Sequence, residues 1–130
     1  MVQHGALPDR LVGELVSSGF ITHVRGATSP ASLDVHLGGE CYRIKGSFLP
    51  KQGEAVFPLA KELGARPYSI DNPLTVGETY LIPLEEEFRL PPSVYAFANP
   101  KSSTGRNDVH VRIVADGVSR FDALTPPGYS

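Results

Sequence analysis

Apolar and polar side chains alternate along Ser32-Leu33-Asp34-Val35-His36-Leu37, and the pair Gly38-Gly39 follows directly. A period of two is typical of a β-strand that turns one face toward a core. After the glycine pair, a second strand-like segment occupies residues 41–44. Two such segments separated by glycines predict a β-hairpin.

Two segments outside this hairpin have helical character. Apolar residues recur at intervals of three and four over residues 7–16, which predicts a short amphipathic helix. Pro8 suits its first turn, and Gly19 can end it. A second, brief helix is predicted over residues 54–63, with an interruption near Pro58.

The remaining chain consists of short strand-like runs separated by proline and glycine. Such runs cover residues 80–84, 88–90, 94–98 and 109–115, whereas residues 64–73 have the composition of a loop. The chain contains 12 prolines and 13 glycines, which suits many turns in close succession. The pattern predicts a mainly β sandwich or barrel-like domain.

The composition is that of an ordinary globular protein. The length of 130 residues suffices for one domain, and we expect a single domain over residues 1–130. A net charge of −2 argues against a nucleic-acid surface that depends on counterion release.

No apolar run approaches the roughly 18 residues that span a bilayer, and the first ten residues lack the features of a signal peptide. We therefore expect no membrane partner and a cytoplasmic location.

The metal-ligating residue types are few and scattered. Cys41 is the only cysteine, which leaves no internal disulfide and no multi-cysteine cage, and we expect it to be a half-buried strand residue. None of the four histidines has the spacing of a zinc ligand pair. The acids Glu85-Glu86-Glu87 suggest a metal site less than a solvated strand edge, because neighbours on a strand point in opposite directions. The sequence therefore predicts no protein-bound metal.

The run Lys101-Ser102-Ser103-Thr104-Gly105-Arg106 combines two cations, three hydroxyl groups and a glycine after a strand-like stretch. Hydroxyl groups and backbone N–H groups at the start of a helix favour anions, and an arginine fork matches phosphate geometry. Ser102 or Ser103 could cap a short helix that follows. The alternative is a solvated loop with an ordinary helix cap, and the local pattern alone does not separate the two.

Four segments together resemble one family over almost the whole chain. They are Gly5–Asp9, Pro30–Gly38, Tyr42–Ile44 and Ala98–Arg106. A strand reading S-L-D-x-x-L-G, followed at this distance by K-S-S-T-G-R, resembles the dCTP deaminases of the dUTPase-like superfamily. The resemblance implies a distorted jelly roll or β-clip, with a short N-terminal helix and a short helix after the K-S-S-T-G-R run. The similarity is to the longer bacterial type, so we expect this chain to be an N-terminal portion.

The family resemblance also implies roles for individual residues. Five residues of the run match family positions that line the triphosphate site, and two of them, Ser102 and Arg106, also match positions close to the reacting base. The five are Lys101, Ser102, Ser103, Thr104 and Arg106. Asp34 matches the aspartate of the S-L-D motif, for which a structural role in bracing the sheet is the preferred interpretation.

At the C-terminal end the sequence departs from the family pattern. The family's catalytic glutamate follows a D-P-G-aromatic turn by about one strand, and this chain ends at the corresponding residues, 126–129, without such a glutamate. Pro126 replaces the aspartate of that turn, and Asp122 lies nearby. We expect Asp122 and Tyr129 to contact the base or sugar, although a core or interface role suits Tyr129 equally. Asp108, Asp116 and Asp122 are not favoured as general bases.

The implied activity is the zinc-independent hydrolysis of dCTP to dUTP and ammonia, with Mg²⁺ bound to the triphosphate. The family assembles as homotrimers, so a second copy of the chain is the expected partner. Two alternatives stay open at this point: a dUTPase-like pyrophosphatase, and a nucleotide-binding module of the same fold that lacks catalysis.

Overall fold

The computed structural model describes residues 8–24, 28–29, 32–91, 94, 96–98 and 109–124. In chain order the elements are α1 (Asp9–Ser17), β1 (Ile21–Thr22), β2 (Thr28–Ser29), β3 (Ser32–Leu33), β4 (Tyr42–Ile44), α2 (Val56–Glu62), β5 (Arg66–Pro67), β6 (Thr79–Leu81) and β7 (Glu87–Phe88). The pairs β1 with β7, β2 with β3, and β4 with both β5 and β6 are antiparallel. The chain forms two compact units, Met1–Gly39 with Ile82–Pro91 and Glu40–Leu81 with Pro92–Ser130.

Helix α1 of the first unit is bounded by the residues that its sequence predicts. Pro8 is the N-cap residue, where the absence of an N–H group costs no intrahelical hydrogen bond. At the other end Gly19 has a φ of +81°, and its N–H donates to the carbonyl of Val16. The N–H of Phe20 donates to Leu15 at 3.0 Å, which completes a Schellman motif. The predicted helix and its glycine end are confirmed.

The stretch 32–39 pairs within the first unit, but the predicted hairpin is wrong. β3 pairs with β2, and Leu37 forms an antiparallel bridge with Leu84. The expected partner, β4, is a central strand with β5 on one side and β6 on the other. Alternation and a glycine pair indicate a strand and a break in it, but they do not select the partner strand.

Gly38 is required by a close approach of two backbone segments. Its N–H donates to the carbonyl oxygen of Pro83 at 2.7 Å. A Cβ atom at Gly38 would lie only 2.9 Å from the same oxygen. Any other residue would push the two segments apart, which gives the glycine of the S-L-D-x-x-L-G pattern a physical reason.

The second unit contains a three-stranded sheet and helix α2. In the sheet, Tyr42 lies opposite Pro67 of β5 on one side and Leu81 of β6 on the other. Cys41 is 4% exposed, more deeply buried than the half-buried position that the sequence predicts. The buried apolar residues described in this unit are Cys41, Ile44, Pro50, Val56, Ala60, Val118 and Ala123.

Two predictions for the middle of the chain are corrected by the structure. Helix α2 continues through Pro58, because this proline is the third helical residue and its missing N–H has no intrahelical acceptor in any case. The segment predicted as a loop contains the short strand β5, whose partner is the non-local strand β4.

The strand predictions in the second half are partly confirmed. The runs at 80–84 and 88–90 correspond to β6 and β7, each displaced by one residue and shorter than predicted. Residues 109–115 are not in a regular strand. Val109 and Val111 are 45% and 37% exposed, so the alternation there does not indicate a face buried within this chain. In the described ranges no helix has the length and apolar character needed to cross a membrane.

Candidate functional site

Most of the predicted nucleotide site lies outside the described residues. This holds for the whole run, for most of the helix predicted after it, and for the predicted final turn, whereas residues 109 and 110 are described and are not helical. The site residues concerned are Lys101, Ser102, Ser103, Thr104, Arg106 and Tyr129. Asp122 is described, and its hydrogen bonds join the chain that precedes the run to the chain that follows it.

Backbone contacts hold the segment that leads into the run. The N–H of Ala98 donates to the carbonyl oxygen of Asp122 at 2.7 Å. Beside this bond, Phe97 and Ala123 form an antiparallel bridge. Lys101 follows Ala98 by three positions in the sequence. The chain therefore enters the run from a hydrogen-bonded pair of segments.

The side chain of Asp122 holds the segment that follows the run. Its Oδ1 accepts a hydrogen bond from the N–H of Ile113 at 2.9 Å, and its Oδ2 accepts one from Nη1 of Arg112 at 2.6 Å. The N–H of Asp122 donates in turn to the carbonyl of Ile113 at 2.8 Å. The Asp122 side chain is 23% exposed and that of Arg112 is 66% exposed. The carboxylate thus has two partners within the chain, and its predicted contact with a base or sugar stays a prediction.

The segment after the run is also attached to helix α2. Oδ1 of Asp116 accepts the N–H of Val56 at 2.7 Å, and the N–H of Gly117 donates to the carbonyl of Glu54 at 2.7 Å. The N-cap residue Ala55 provides no side-chain cap, so Asp116 supplies one from a distant part of the sequence. Asp116 therefore has a structural role as a helix cap, in agreement with the sequence analysis, which did not favour it as a general base.

A second polar contact, within the first unit, joins His36 to Glu86. One carboxylate oxygen of Glu86 accepts the backbone N–H of His36 at 2.8 Å, and the other lies 2.8 Å from the imidazole Nδ1. The Glu86 side chain has no exposed surface. The prediction of a solvated edge for this acid is therefore wrong. The sequence offered no local signal, because the two partners are 50 residues apart.

Hydrogen bonding controls the ionisation of Glu86. Burial alone raises the pKa of this carboxyl group, but the hydrogen bonds from the ring and backbone of His36 outweigh it, and the pKa lies below its ordinary value. Glu86 is therefore ionised near neutral pH and can only accept hydrogen bonds. It follows that Nδ1 of His36 carries the proton in this contact.

Other candidate groups have no clear part in a site. Within the described ranges no three histidine, cysteine or acidic side chains are grouped so that they could hold a metal ion. Burial raises the pKa of the Cys41 thiol, which makes it a poor nucleophile. Asp34 directly follows β3 and is exposed, and its role in bracing the sheet stays a prediction.

Comparisons with known proteins agree on one family. Residues 3–130 match the family model described as the 2′-deoxycytidine 5′-triphosphate deaminase (DCD) N-terminal domain. The fold is similar to the crystal structure of 2′-deoxycytidine 5′-triphosphate deaminase from Agrobacterium tumefaciens, with a TM-score of 0.81 and 34% sequence identity. This similarity covers 97% of the present chain and 39% of the Agrobacterium chain. No curated protein sequence matches.

These comparisons test the sequence-based predictions of fold and family. The mainly β fold with few helices and antiparallel pairing matches that of a dCTP deaminase, so the predicted dUTPase-like fold is confirmed. The resemblance that rested on the S-L-D-x-x-L-G and K-S-S-T-G-R segments is confirmed as well. The chain belongs to the 2′-deoxycytidine 5′-triphosphate deaminase family, whose N-terminal domain it matches.

Proposed function

We propose that the protein carrying this chain hydrolyses dCTP to dUTP and ammonia in pyrimidine deoxynucleotide metabolism, without zinc. The family match over residues 3–130 carries this proposal. The K-S-S-T-G-R run supports it, because hydroxyl groups and cations in this order suit a triphosphate.

The run supplies the contacts to the phosphate chain. The cations Lys101 and Arg106 neutralise charge, and Arg106 can form two parallel hydrogen bonds with a phosphate. The hydroxyl groups of Ser102, Ser103 and Thr104 donate further hydrogen bonds. Magnesium enters with the substrate as its triphosphate complex.

Deamination requires water to attack C4 of cytosine and a proton to reach the leaving amino group. Water adds across the C4=N3 bond, so that its oxygen binds C4 and one proton is transferred to N3. The remaining hydroxyl proton is transferred to the amino nitrogen, the C4 carbonyl forms, and ammonia leaves with the electrons of its bond to carbon. Ser102 and Arg106 are the residues of this chain that we place nearest to these atoms. The carboxylate that transfers the proton is expected from a glutamate, as in the family pattern. Tyr129 is the proposed neighbour of the base and sugar, whereas the hydrogen bonds of Asp122 within the chain favour a different role for this residue.

The assembly and location follow the same proposal. A homotrimer with nucleotide sites between its subunits is expected, in the cytoplasm. Sedimentation of the purified protein in the presence and absence of dCTP measures the assembly, and a monomer under both conditions would contradict the trimer.

One assay separates the proposed activity from its alternatives. The complete protein is incubated with magnesium and either dCTP or dUTP, and ammonia and pyrophosphate are both measured. Ammonia release from dCTP is expected. Pyrophosphate release from dUTP would instead favour a pyrophosphatase, and nucleotide binding without either product would favour a binding module.

Arg106→Ala tests the assigned triphosphate contact. A charge-assisted hydrogen bond contributes roughly 1.5 to 3 kcal/mol, so the Kd for dCTP is expected to rise by about tenfold to 150-fold. Calorimetric titration measures this change. Arg66→Ala is the matched control, because Arg66 is an exposed arginine on β5. Equal dCTP affinity in wild type and Arg106→Ala would contradict the assignment.

A further inference from the structure

We propose that Asp122 is a positioning residue for the triphosphate: it joins Ala98, which precedes the K-S-S-T-G-R segment, to Arg112 and Ile113, which follow it, rather than contacting the nucleotide. This inference rests on the proposed function. It assigns to Asp122 a role different from the base or sugar contact that the sequence suggests.

The first support is the distribution of hydrogen bonds at Asp122. Its carbonyl accepts the N–H of Ala98, which precedes the run. Its N–H and both carboxylate oxygens bond to Ile113 and Arg112, which follow the run. A single residue therefore fixes the spacing between the chain that enters the run and the chain that leaves it.

The second support is the backbone conformation of Asp122. Its φ of +64° lies in the left-handed region, and among the described non-glycine residues His23 is the other example. Aspartate and asparagine tolerate this region better than most residues. In this conformation the carbonyl bonds to Ala98 while the N–H and the carboxylate bond to Ile113.

The third support is the attachment of this arrangement to the buried part of the second unit. Asp116 and Gly117 bond to the start of α2, and Val118 and Ala123 are 1% and 3% exposed. Asp122 therefore lies between two anchored positions. Its ion pair with the exposed Arg112 contributes little to stability, because solvent screens such pairs. The part-buried hydrogen bond to the N–H of Ile113 fixes the distance between the two segments.

Geometry matters here because a polyphosphate site depends on the placement of hydroxyl and backbone N–H groups. Small displacements of such groups cost much of their contribution to binding. Loosening the bonds that join Ala98 and Ile113 to Asp122 is therefore expected to weaken the contacts that the run makes to phosphate. This effect does not depend on which base the nucleotide carries.

The experiment uses the complete protein and two substitutions that tolerate a positive φ. Asp122→Asn keeps one acceptor for Ile113 but loses the charge toward Arg112, and Asp122→Gly loses both contacts. The Kd for dCTP is expected to rise about fivefold to tenfold in the first variant and further in the second, because the lost bonds lie within the protein and affect the phosphate contacts only through their geometry. The melting temperature without nucleotide is expected to stay within a few degrees of wild type. Asp71→Asn, at an exposed loop position, is the matched control.

Inorganic tripolyphosphate separates positioning from direct contact with the nucleoside. If Asp122 positions the run, each Asp122 variant raises the Kd for tripolyphosphate by the same factor as the Kd for dCTP. If Asp122 contacts the base or sugar, the Kd for dCTP rises while the Kd for tripolyphosphate does not change, and the proposal is overturned. A large fall in melting temperature with both affinities unchanged also overturns it, because Asp122 would then be only structural.

A double-mutant cycle tests whether the effect passes through Arg112. Asp122→Asn, Arg112→Gln and the double variant are compared by their Kd for tripolyphosphate. The double variant is expected to bind about as weakly as Asp122→Asn alone, because residues in one hydrogen-bonded pair do not act additively. Arg66→Gln is the control. If the increase in Kd for the double variant equals the product of the two single increases, Asp122 and Arg112 are not coupled and an effect through Arg112 is contradicted.

The failure of this inference can be distinguished from the failure of the proposed function. A wild-type protein that binds dCTP without releasing ammonia refutes deamination, while the affinities of the Asp122 variants still decide the positioning role. Normal ammonia release with unchanged affinities in these variants refutes only the positioning role. A wild-type protein that binds neither dCTP nor tripolyphosphate overturns both.

Discussion

At the level of single residues, the contact between His36 and Glu86 provides a buried charge with hydrogen-bond donors. Glu86 has no exposed side-chain surface, so a charge there is costly unless it is hydrogen-bonded. The ring and the backbone N–H of His36 provide those bonds, and they outweigh burial in setting the pKa of Glu86 below its ordinary value. The polar face of the S-L-D-x-x-L-G stretch therefore binds a buried charge of its own unit.

Glu86→Gln is expected to lower the free energy of unfolding near neutral pH by about 1 to 3 kcal/mol, because hydrogen bonds to an ionised group are lost. A carboxyl group with a depressed folded pKa stabilises the protein above its unfolded pKa, near 4.5. This stabilisation declines as the pH falls through the folded pKa. The difference between wild type and variant should therefore shrink as the pH decreases from 5.5 to 3, as measured by urea unfolding.

Glu87→Gln is the control for this experiment, because Glu87 is an exposed neighbour on β7. It is expected to change stability by less than about 0.5 kcal/mol. A difference for Glu86→Gln that stays constant with pH would contradict the role assigned to its ionised form.

Among the elements, helix α1 shows how the conformation of a glycine decides the effect of a methyl group. Gly19 has a positive φ at the end of the helix, whereas Gly13 lies within it and has no described atom within 4 Å of a Cβ position. Gly19→Ala is expected to destabilise the protein by about 1 to 2 kcal/mol. Gly13→Ala is expected to stabilise it by about 0.5 to 1 kcal/mol. Thermal unfolding measures both, and effects of equal sign would contradict the described helix end.

Helix α2 provides a second prediction at this scale. Asp116 caps its first N–H group, at Val56, from outside the helix. Asp116→Ala should reduce the free energy of unfolding by about 0.5 to 2 kcal/mol, the usual range for a lost N-cap. Asp116→Asn keeps an acceptor oxygen and should cost less. If both substitutions cost the same in urea unfolding, the cap is not the source of the stabilisation.

The elements also show which features a sequence can predict. The ends of α1 were predictable because Pro8 and Gly19 act on the backbone next to them. The partners of β4 were not, because strand pairing joins residues far apart and the alternating pattern is the same for any partner. Glu86 and Asp116 were misjudged or left open for the same reason, since each bonds to a residue at least 50 positions away.

At the scale of the whole molecule, the family was predicted more securely than the arrangement of the site. The S-L-D-x-x-L-G and K-S-S-T-G-R segments are local patterns whose order along the chain is itself specific, and the family match over residues 3–130 confirms them. The function of Asp122 as a junction was not predictable. Its hydrogen bonds join Ala98 and Ile113, and no spacing in the sequence indicates that these two positions meet at one residue.

Nucleotide binding should stabilise the molecule as a whole. A ligand that binds only the folded state adds RT ln(1 + [L]/Kd), which is about 2.7 kcal/mol at 100 times the Kd. We expect this gain with dCTP and magnesium, a smaller gain when magnesium is chelated, and little gain with dCMP at the same concentration, because the proposed contacts of Lys101 and Arg106 are to the phosphate chain. Thermal unfolding of the complete protein measures each case, with Arg66→Ala as a variant that should keep the full gain. Equal stabilisation by dCMP and dCTP would place the binding energy at the nucleoside and would contradict a triphosphate site at the K-S-S-T-G-R run.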